Sequence, residues 1–165
     1  MPLQPAAALV HELRDLRTRF AALPLAHGCE WVDRELHGYP REAPVPRYRR
    51  IPCETWADIA DAEGRVERIP LPTAHLADGG RTPVREGIVQ LQEIEVPIDR
   101  AIDPQAHALY LRGMPSQPGL RILRAWETIP PASLHGMLDA IRAYGQAMHE
   151  DALRRASALP TSRRG

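Results

Sequence analysis

The sequence predicts an α+β fold in which an N-terminal helical hairpin and further helices pack on a small, mostly antiparallel sheet, with a long C-terminal helix. Three observations predict this class. Apolar residues recur every three to four positions near both ends of the chain, as in helices with one buried face. The middle of the chain has the period of strands. The 17 prolines of the whole chain divide its 165 residues into short elements.

Two helices open the chain. The break between them is predicted at residues 22–24, where Pro24 lacks an amide hydrogen and disfavours helix in the residue before it. Gly38 and Pro40 predict the end of the second helix, because glycine adopts the left-handed turn conformation and proline prevents continuation. The predicted buried residues are Leu9, Leu13, Leu16 and Phe20 in the first helix, and Leu25, Cys29, Val32 and Leu36 in the second.

The middle of the chain predicts the sheet. Residues 55–59 and 65–69 read as two strands joined by a turn around Gly64. Prolines flank this pair and confine it to a sheet edge or a small sheet, since proline cannot donate to a strand ladder. Residues 120–129 predict another strand, whereas the signals between residues 97 and 118 are mixed.

Two more helices are predicted. Thr82 and Pro83 resemble a helix cap and first residue, so we expect a helix to about residue 95, with Gly87 packed closely against a neighbour. Ser133 is the predicted cap of the C-terminal helix. Its predicted buried stripe consists of Leu134, Met137, Ile141, Tyr144 and Met148. We expect a single domain over residues 1–157 and a short flexible tail over residues 158–165.

Composition excludes several functions. All 21 basic residues are arginine, so Schiff-base chemistry, a Walker-type phosphate loop and a lysine general base are excluded. The net charge of zero provides no overall field to attract nucleic acid or an anionic membrane. Cys29 and Cys53 lack metal or redox spacing; Cys29 is predicted to be a buried, inert thiol, and a disulfide between the two stays open. With no signal peptide or membrane span visible, we expect a cytoplasmic protein.

One motif joins the second helix to the chain that follows. Residues 30–39 read E-W-V-D-R-E-L-H-G-Y and, after an acidic, proline-containing spacer, residues 46–49 read P-R-Y-R. Further segments at residues 69–72, 84–93 and 138–142 follow in order. Together they resemble the AbiTii-type domain family of bacterial abortive-infection (phage-defence) proteins.

The resemblance implies a role in phage defence, but it brings no catalytic motif that could be carried over, so catalytic residues are unknown. We expect no cofactor and no metal, because the seven histidines are scattered without ligand spacing. We expect the domain to act through a protein partner or a second copy of itself. The structural or interaction candidates are Glu30, Trp31, Glu35, Gly38, Tyr39, Tyr48 and Arg49.

Two alternatives stay open. A nucleic-acid-binding module would use the basic and aromatic cluster of residues 47–50, because arginine forks and a stacking ring suit phosphates and bases. A small toxic nuclease-like effector would need an active centre assembled in space. Its groups would come from Glu30, Asp33, Glu35, His37 and Arg49.

A further prediction concerns residues 30–49, which we call the clasp. We expect helix two to end at His37, Gly38 to take a positive φ and Tyr39 to fold back on the helix. Tyr48 and Arg49 should then begin the first strand beside Glu35. A buried pair of Glu35 and Arg49 would fix how the hairpin docks.

Overall fold

The computed structural model describes residues 5–23, 27–71, 80–91, 97–102 and 119–158. These residues form three α-helices and two antiparallel sheets, which confirms the α+β class. The chain divides into two compact units. The helical unit comprises Met1–Tyr48, Arg85–Ile94 and His135–Gly165, and the sheet unit comprises Arg49–Val84 and Glu95–Leu134. The single domain of residues 1–157 stays a prediction, and its tail, apart from Ala158, lies outside the described residues.

The helical hairpin is confirmed. Helix α1 spans Pro5–Ala21 and helix α2 spans His27–His37, the residue at which its end was predicted. The Arg17 guanidinium holds the Asp33 carboxylate at 2.7 Å across the hairpin. A side chain at Gly28 would lie 2.5 Å from the Phe20 ring, so the close approach of the two helices requires glycine there.

The C-terminal helix, α3, spans Pro131–Ala158. It begins before the predicted cap Ser133, because proline is well suited to a first helical turn. Tyr144 was predicted to be buried, but it is 48% exposed. The buried line passes through Gly145 instead, where an added Cβ would lie about 3.0 Å from Leu16 and Trp31. The small residue lets α3 approach the hairpin, and Tyr144 is left beside the contact.

A tightly packed core supports the helical unit. Leu16 and Met148, which were predicted to be buried, are only partly so. Leu25 lies outside the described residues. The fully buried apolar residues of the unit include Leu9, Leu13, Phe20, Val32, Ile88, Met137, Leu138 and Ile141.

The predicted helix after Thr82 is wrong. Residues Arg81–Pro83 form a strand, and Ile88–Gln90 form only a single 3₁₀ turn. The Thr82 hydroxyl donates to Glu127 at 2.8 Å instead of capping a helix. The backbone at Gly87 is extended, and an added Cβ would lie 2.1 Å from the Leu36 carbonyl oxygen. The close packing predicted for Gly87 is therefore confirmed, but in a different local structure.

The sheet unit contains two antiparallel sheets. Their strands are β1 (Arg50–Pro52), β2 (Glu54–Ala60), β3 (Val66–Pro70), β4 (Arg81–Pro83), β5 (Ile98–Ala101) and β6 (Arg121–Ile129). In one, β1 pairs with β4; in the other, the order is β3-β2-β6-β5. The predicted hairpin of β2 and β3 is confirmed, with Gly64 at a φ of 82° in its turn, and so is the strand predicted at residues 120–129.

The two faces of the larger sheet differ. The buried face carries a small apolar cluster of Ala57, Ile59 and Ala125 from β2 and β6, with Leu71. The opposite face carries Trp126, which is paired in register with Trp56.

Within the described residues, none of the helices combines the length and the apolar character needed to cross a membrane.

Candidate functional site

A buried carboxylate organises the helical unit. Glu35 lies on α2 with no exposed surface. Its Oε2 atom accepts a hydrogen bond from the Tyr39 hydroxyl and another, at 2.8 Å, from the Tyr48 hydroxyl. Both phenols are the donors, so a single carboxylate oxygen accepts two hydrogen bonds. Glu35 therefore links the helix to the residues at both ends of the proline-containing spacer.

The Tyr48 phenol is held in its protonated form. Burial raises the pKa of this phenol far above the ordinary value of 10, and the adjacent Glu35 carboxylate raises it further. The Tyr48 hydroxyl also accepts a hydrogen bond from the Trp31 indole nitrogen at 3.0 Å. The chain Trp31–Tyr48–Glu35 thus fixes two aromatic rings by hydrogen bonds and removes Tyr48 as a proton-transfer group near neutral pH.

Three aromatic rings meet at the surface of this network. The Tyr144 ring centroid lies 5.4 Å from that of Trp31 and 5.5 Å from that of Tyr48, with both pairs tilted. These distances fall in the favourable range for aromatic pairs. Tyr144 is nearly half exposed, whereas the other two rings are partly buried. The rings form a fixed, partly accessible aromatic surface.

The turn after α2 has the predicted conformation. Gly38 has a φ of 111°, which L-residues with side chains rarely adopt, and its N–H donates to the Arg34 carbonyl at 2.8 Å. Tyr39 is buried and returns to the helix through its hydrogen bond to Glu35. The predicted helix end, glycine conformation and tyrosine position are all confirmed.

Arg85 is a residue that the sequence prediction missed. Its guanidinium donates to the carbonyl oxygens of Pro40, at 2.8 Å, and Ala43, at 2.6 Å. Its own carbonyl accepts the Tyr39 N–H at 2.9 Å. Arg85 thereby anchors the proline-containing spacer, whose prolines lack donors of their own. The only signal in the sequence is its place in the motif segment of residues 84–93, which is predicted to be helical.

The motif lines an open groove of about 420 Å³, which we call the motif groove. One wall comes from α2 and the other from the spacer. Trp31 and Tyr39 provide aromatic surface, and the Arg34 guanidinium lies 6.0 Å from the centre of the Tyr39 ring. Glu30 and Arg34 are exposed and bring charges of both signs. The lining residues are His27, Glu30, Trp31, Arg34, Tyr39, Pro44, Val45 and Pro46.

The cluster of residues 47–50 does not lie on one exposed face. Arg49 is fully buried and donates to the Val84 carbonyl at 2.9 Å within the sheet unit. Residues Arg47–Arg49 form a 3₁₀ turn, so the first strand begins at Arg50, later than predicted. Arg47 is exposed. A nucleic-acid surface would therefore have to do without Arg49. The pairing of Glu35 with Arg49 stays a prediction.

The groups named for a nuclease centre differ in burial and in their partners. Glu30 and His37 are exposed, and Asp33 is paired with Arg17. Glu35, in contrast, is buried and bound to two phenols. Among the described residues there is no group of three or more His, Cys, Asp or Glu side chains that could hold a metal ion.

Both cysteines are free thiols. Cys29 is only partly buried, in contrast to its prediction, and its thiol lies 3.7 Å from the Arg17 carbonyl. Cys53 is buried near Glu127. Burial raises the pKa of the Cys53 thiol to about 11, and the Glu127 carboxylate adds to the shift. The environment of Cys53 is therefore not that of an activated nucleophile, which requires a lowered pKa.

Comparison with known proteins gives one positive finding. A search of curated proteins and a search of solved structures each return no match. The family model described as AbiTii matches residues 22–144. This range holds the whole clasp, the motif groove, Arg85 and Tyr144, and it covers well over half of the chain. The resemblance noted from the motifs is thus confirmed, and the chain belongs to the AbiTii family.

Proposed function

We propose that this protein is an abortive-infection domain, acting in phage defence in the bacterial cytoplasm, and that it works by binding another protein through the motif groove. Membership of the AbiTii family supports the defence role. The observation that carries the mode of action is the position of the motif: Glu30, Trp31 and Tyr39, which define the family pattern, line one open groove.

The groove has the chemistry of a protein-recognition surface. Tryptophan, tyrosine and arginine are the residues that most often anchor protein interfaces, and each is present here in Trp31, Tyr39 and Arg34. The anchors are fixed before binding, because Trp31 and Tyr39 are held through the Glu35 network. A preorganised surface loses less conformational entropy when a partner binds.

Exposed charges decide which partner fits. Glu30 and Arg34 lie one helical turn apart on the same wall, so a partner needs a complementary pair of charges around an apolar contact. The partner is either a second copy of the chain or another protein of the infected cell. Homo-oligomerisation through the groove is measured by light scattering of the purified chain over a range of concentrations.

Phage challenge of bacteria expressing the protein tests the proposal. Reversing the two groove charges with Glu30→Arg and Arg34→Glu should reduce protection against phage at least tenfold, since like-charge contacts weaken binding by several kcal/mol. Arg14→Glu, an exposed position on α1, is the matched control and should protect like the wild type. Circular dichroism confirms that all variants fold. Undiminished protection by the folded groove variants would contradict recognition through the motif groove.

The alternative hypothesis, a nuclease-like enzyme, makes a different prediction. A nuclease built on α2 would lose activity with Asp33→Asn and His37→Ala, although neither substitution changes a residue that lines the motif groove. We expect both variants to protect cells like the wild type. Loss of protection in either one, with the fold intact and the groove charges unchanged, would favour the nuclease.

A further inference from the structure

The exposed face of the larger sheet carries an ordered stack of arginine and tryptophan. The guanidinium carbons of Arg124 and Arg68 lie 4.3 Å and 4.8 Å from the centre of the Trp126 ring. Both guanidiniums are held by Asp58, at 2.9 Å from Arg124 and 3.1 Å from Arg68. The carboxylate therefore fixes two cations against one indole, although both arginine side chains are largely exposed.

A slot borders Trp126 on the β5 side. In the sheet order β3-β2-β6-β5, Arg68 and Asp58 approach Trp126 from the β2 side. On the β5 side, the residue paired in register with Trp126 is Ala101. Its methyl group is too small to cover an indole, and a slot of about 190 Å³ remains beside the ring. The slot is lined by Asp99, Ala101, Arg124, Ala125 and Trp126.

The groups around the slot suit a flat, hydrogen-bonding ring. Trp126 provides a stacking surface that is already backed by guanidinium groups. Asp99 lies at the rim, where the Thr128 hydroxyl donates to its Oδ1 atom at 2.7 Å and fixes its orientation. A carboxylate accepts several hydrogen bonds, so Asp99 retains lone pairs for a ligand. Arg124 provides a fork of donors for phosphate.

We propose that this slot binds the guanine base of a nucleotide. Guanine has two adjacent N–H donors on its Watson–Crick edge and fits a carboxylate with both, whereas adenine offers an acceptor at the corresponding ring nitrogen. Asp99 accepts these hydrogen bonds, Trp126 stacks on the base, and Arg124 contacts the phosphate. The nucleotide is either free or part of a single strand, since both present the same base and phosphate.

The slot is separate from the motif groove and from residues 47–50. Its lining residues all belong to the sheet unit, whereas the motif groove belongs to the helical unit. The proposal does not depend on the protein partner proposed above. It stands even if the groove-charge variants protect cells like the wild type.

Calorimetric titration of the full chain tests this site. The probes are guanosine monophosphate, adenosine monophosphate, and short single-stranded RNAs that contain either guanine or adenine in an otherwise uniform sequence. We expect guanine to bind more tightly than adenine. Saturation by the free nucleotide identifies a nucleotide site, whereas binding of the guanine-containing strand alone identifies the strand as the source; either outcome supports the proposal.

Two variants and one control locate the binding. Ala101→Leu fills the slot and should reduce affinity at least tenfold. Asp99→Asn replaces one acceptor by a donor and should reduce the preference for guanine over adenine about tenfold. Ala143→Leu, at an exposed position of α3, is the control and should bind like the wild type. Absence of saturable binding to every probe, or equal affinity in the folded Ala101→Leu variant, would overturn the proposal.

Discussion

Two carboxylates, one in each unit, differ in burial and in the groups that they bind. Glu35 in the helical unit is fully buried and accepts hydrogen bonds from Tyr39 and Tyr48. Asp58 in the sheet unit lies on a strand face and binds two largely exposed guanidiniums, those of Arg68 and Arg124. Each carboxylate bridges two partners from separate segments of chain.

Burial decides how much each arrangement contributes to stability. A buried donor that loses its acceptor cannot turn to water, so the cost of its desolvation remains. An exposed arginine that loses its partner is hydrated at once, which is why surface ion pairs contribute little. Glu35 therefore specifies the structure of the clasp, whereas Asp58 only orders side chains over Trp126.

The largest expected effect follows from removing Glu35. Glu35→Ala leaves the Tyr39 and Tyr48 hydroxyls without this acceptor in a buried site, and we expect a loss of about 3 kcal/mol in the free energy of unfolding. Urea denaturation measures it. Glu30→Ala, exposed on the same helix, is the control and should change stability by no more than about 0.5 kcal/mol. Equal effects of the two substitutions would contradict the role of burial.

Gly38 provides the next effect. Gly38→Ala forces a side chain into a positive-φ conformation and brings its Cβ to 3.0 Å from the Arg85 carbonyl oxygen. We expect the free energy of unfolding to fall by about 1–3 kcal/mol. Gly136→Ala on α3 is the matched control, because an added Cβ meets no atom within 4 Å there. It should stabilise the protein by about 0.5–1 kcal/mol, and opposite signs for the two variants in urea denaturation are the expected result.

A smaller effect on stability is expected from the ion pairs of Asp58, and it is visible in the pH titration of the Asp58 carboxyl group. The Arg68 hydrogen bond holds the pKa of Asp58 below the ordinary value of 3.8, and Arg124 lowers it further. A lowered pKa in the folded state contributes stability above that ordinary value, and the contribution is lost as the pH falls below it. NMR titration of the Asp58 carboxyl should show the low pKa, and Arg68→Gln should raise it. An unchanged pKa in Arg68→Gln would show that the ion pair does not form in solution.

The smallest effect separates the two thiols. Because burial raises the pKa of Cys53 to about 11, little thiolate forms at pH 8, whereas Cys29 is partly exposed. We expect iodoacetamide to label Cys29 first, with mass spectrometry of the peptides as the measurement. Faster labelling of Cys53 would show that its site opens readily. The raised pKa also means that its contribution to stability is present below pH 9 and lost as the pH rises toward 11.

Local signals predicted the structure where several of them agreed. Gly38, with a proline two residues later, located the end of α2 and its turn, and the strand pattern around Gly64 located the β2–β3 hairpin. Prediction failed where tertiary contacts outweighed local preference. Thr82 and Pro83 have the chemistry of a helix start, but Glu127 from β6 binds the Thr82 hydroxyl.

The candidate site was predicted in part. The motif gave Trp31, Glu35, Tyr39 and Tyr48, because helical spacing and the glycine turn bring them together. The role of Arg85 could not be derived, since it binds two carbonyl oxygens more than forty residues away. The position of Tyr144 was also missed. A spacing of three to four residues cannot distinguish a buried aromatic residue from one displaced by a neighbouring glycine.

A double-mutant cycle on the two phenols of the clasp tests most directly whether they form one hydrogen-bond network around Glu35. Tyr39→Phe, Tyr48→Phe and the double variant each remove only hydroxyl groups that donate to the same oxygen of Glu35. Urea denaturation of the four proteins gives the coupling energy. If the phenols form one network around Glu35, we expect a coupling of at least about 0.5 kcal/mol. Additivity within about 0.3 kcal/mol would contradict that network.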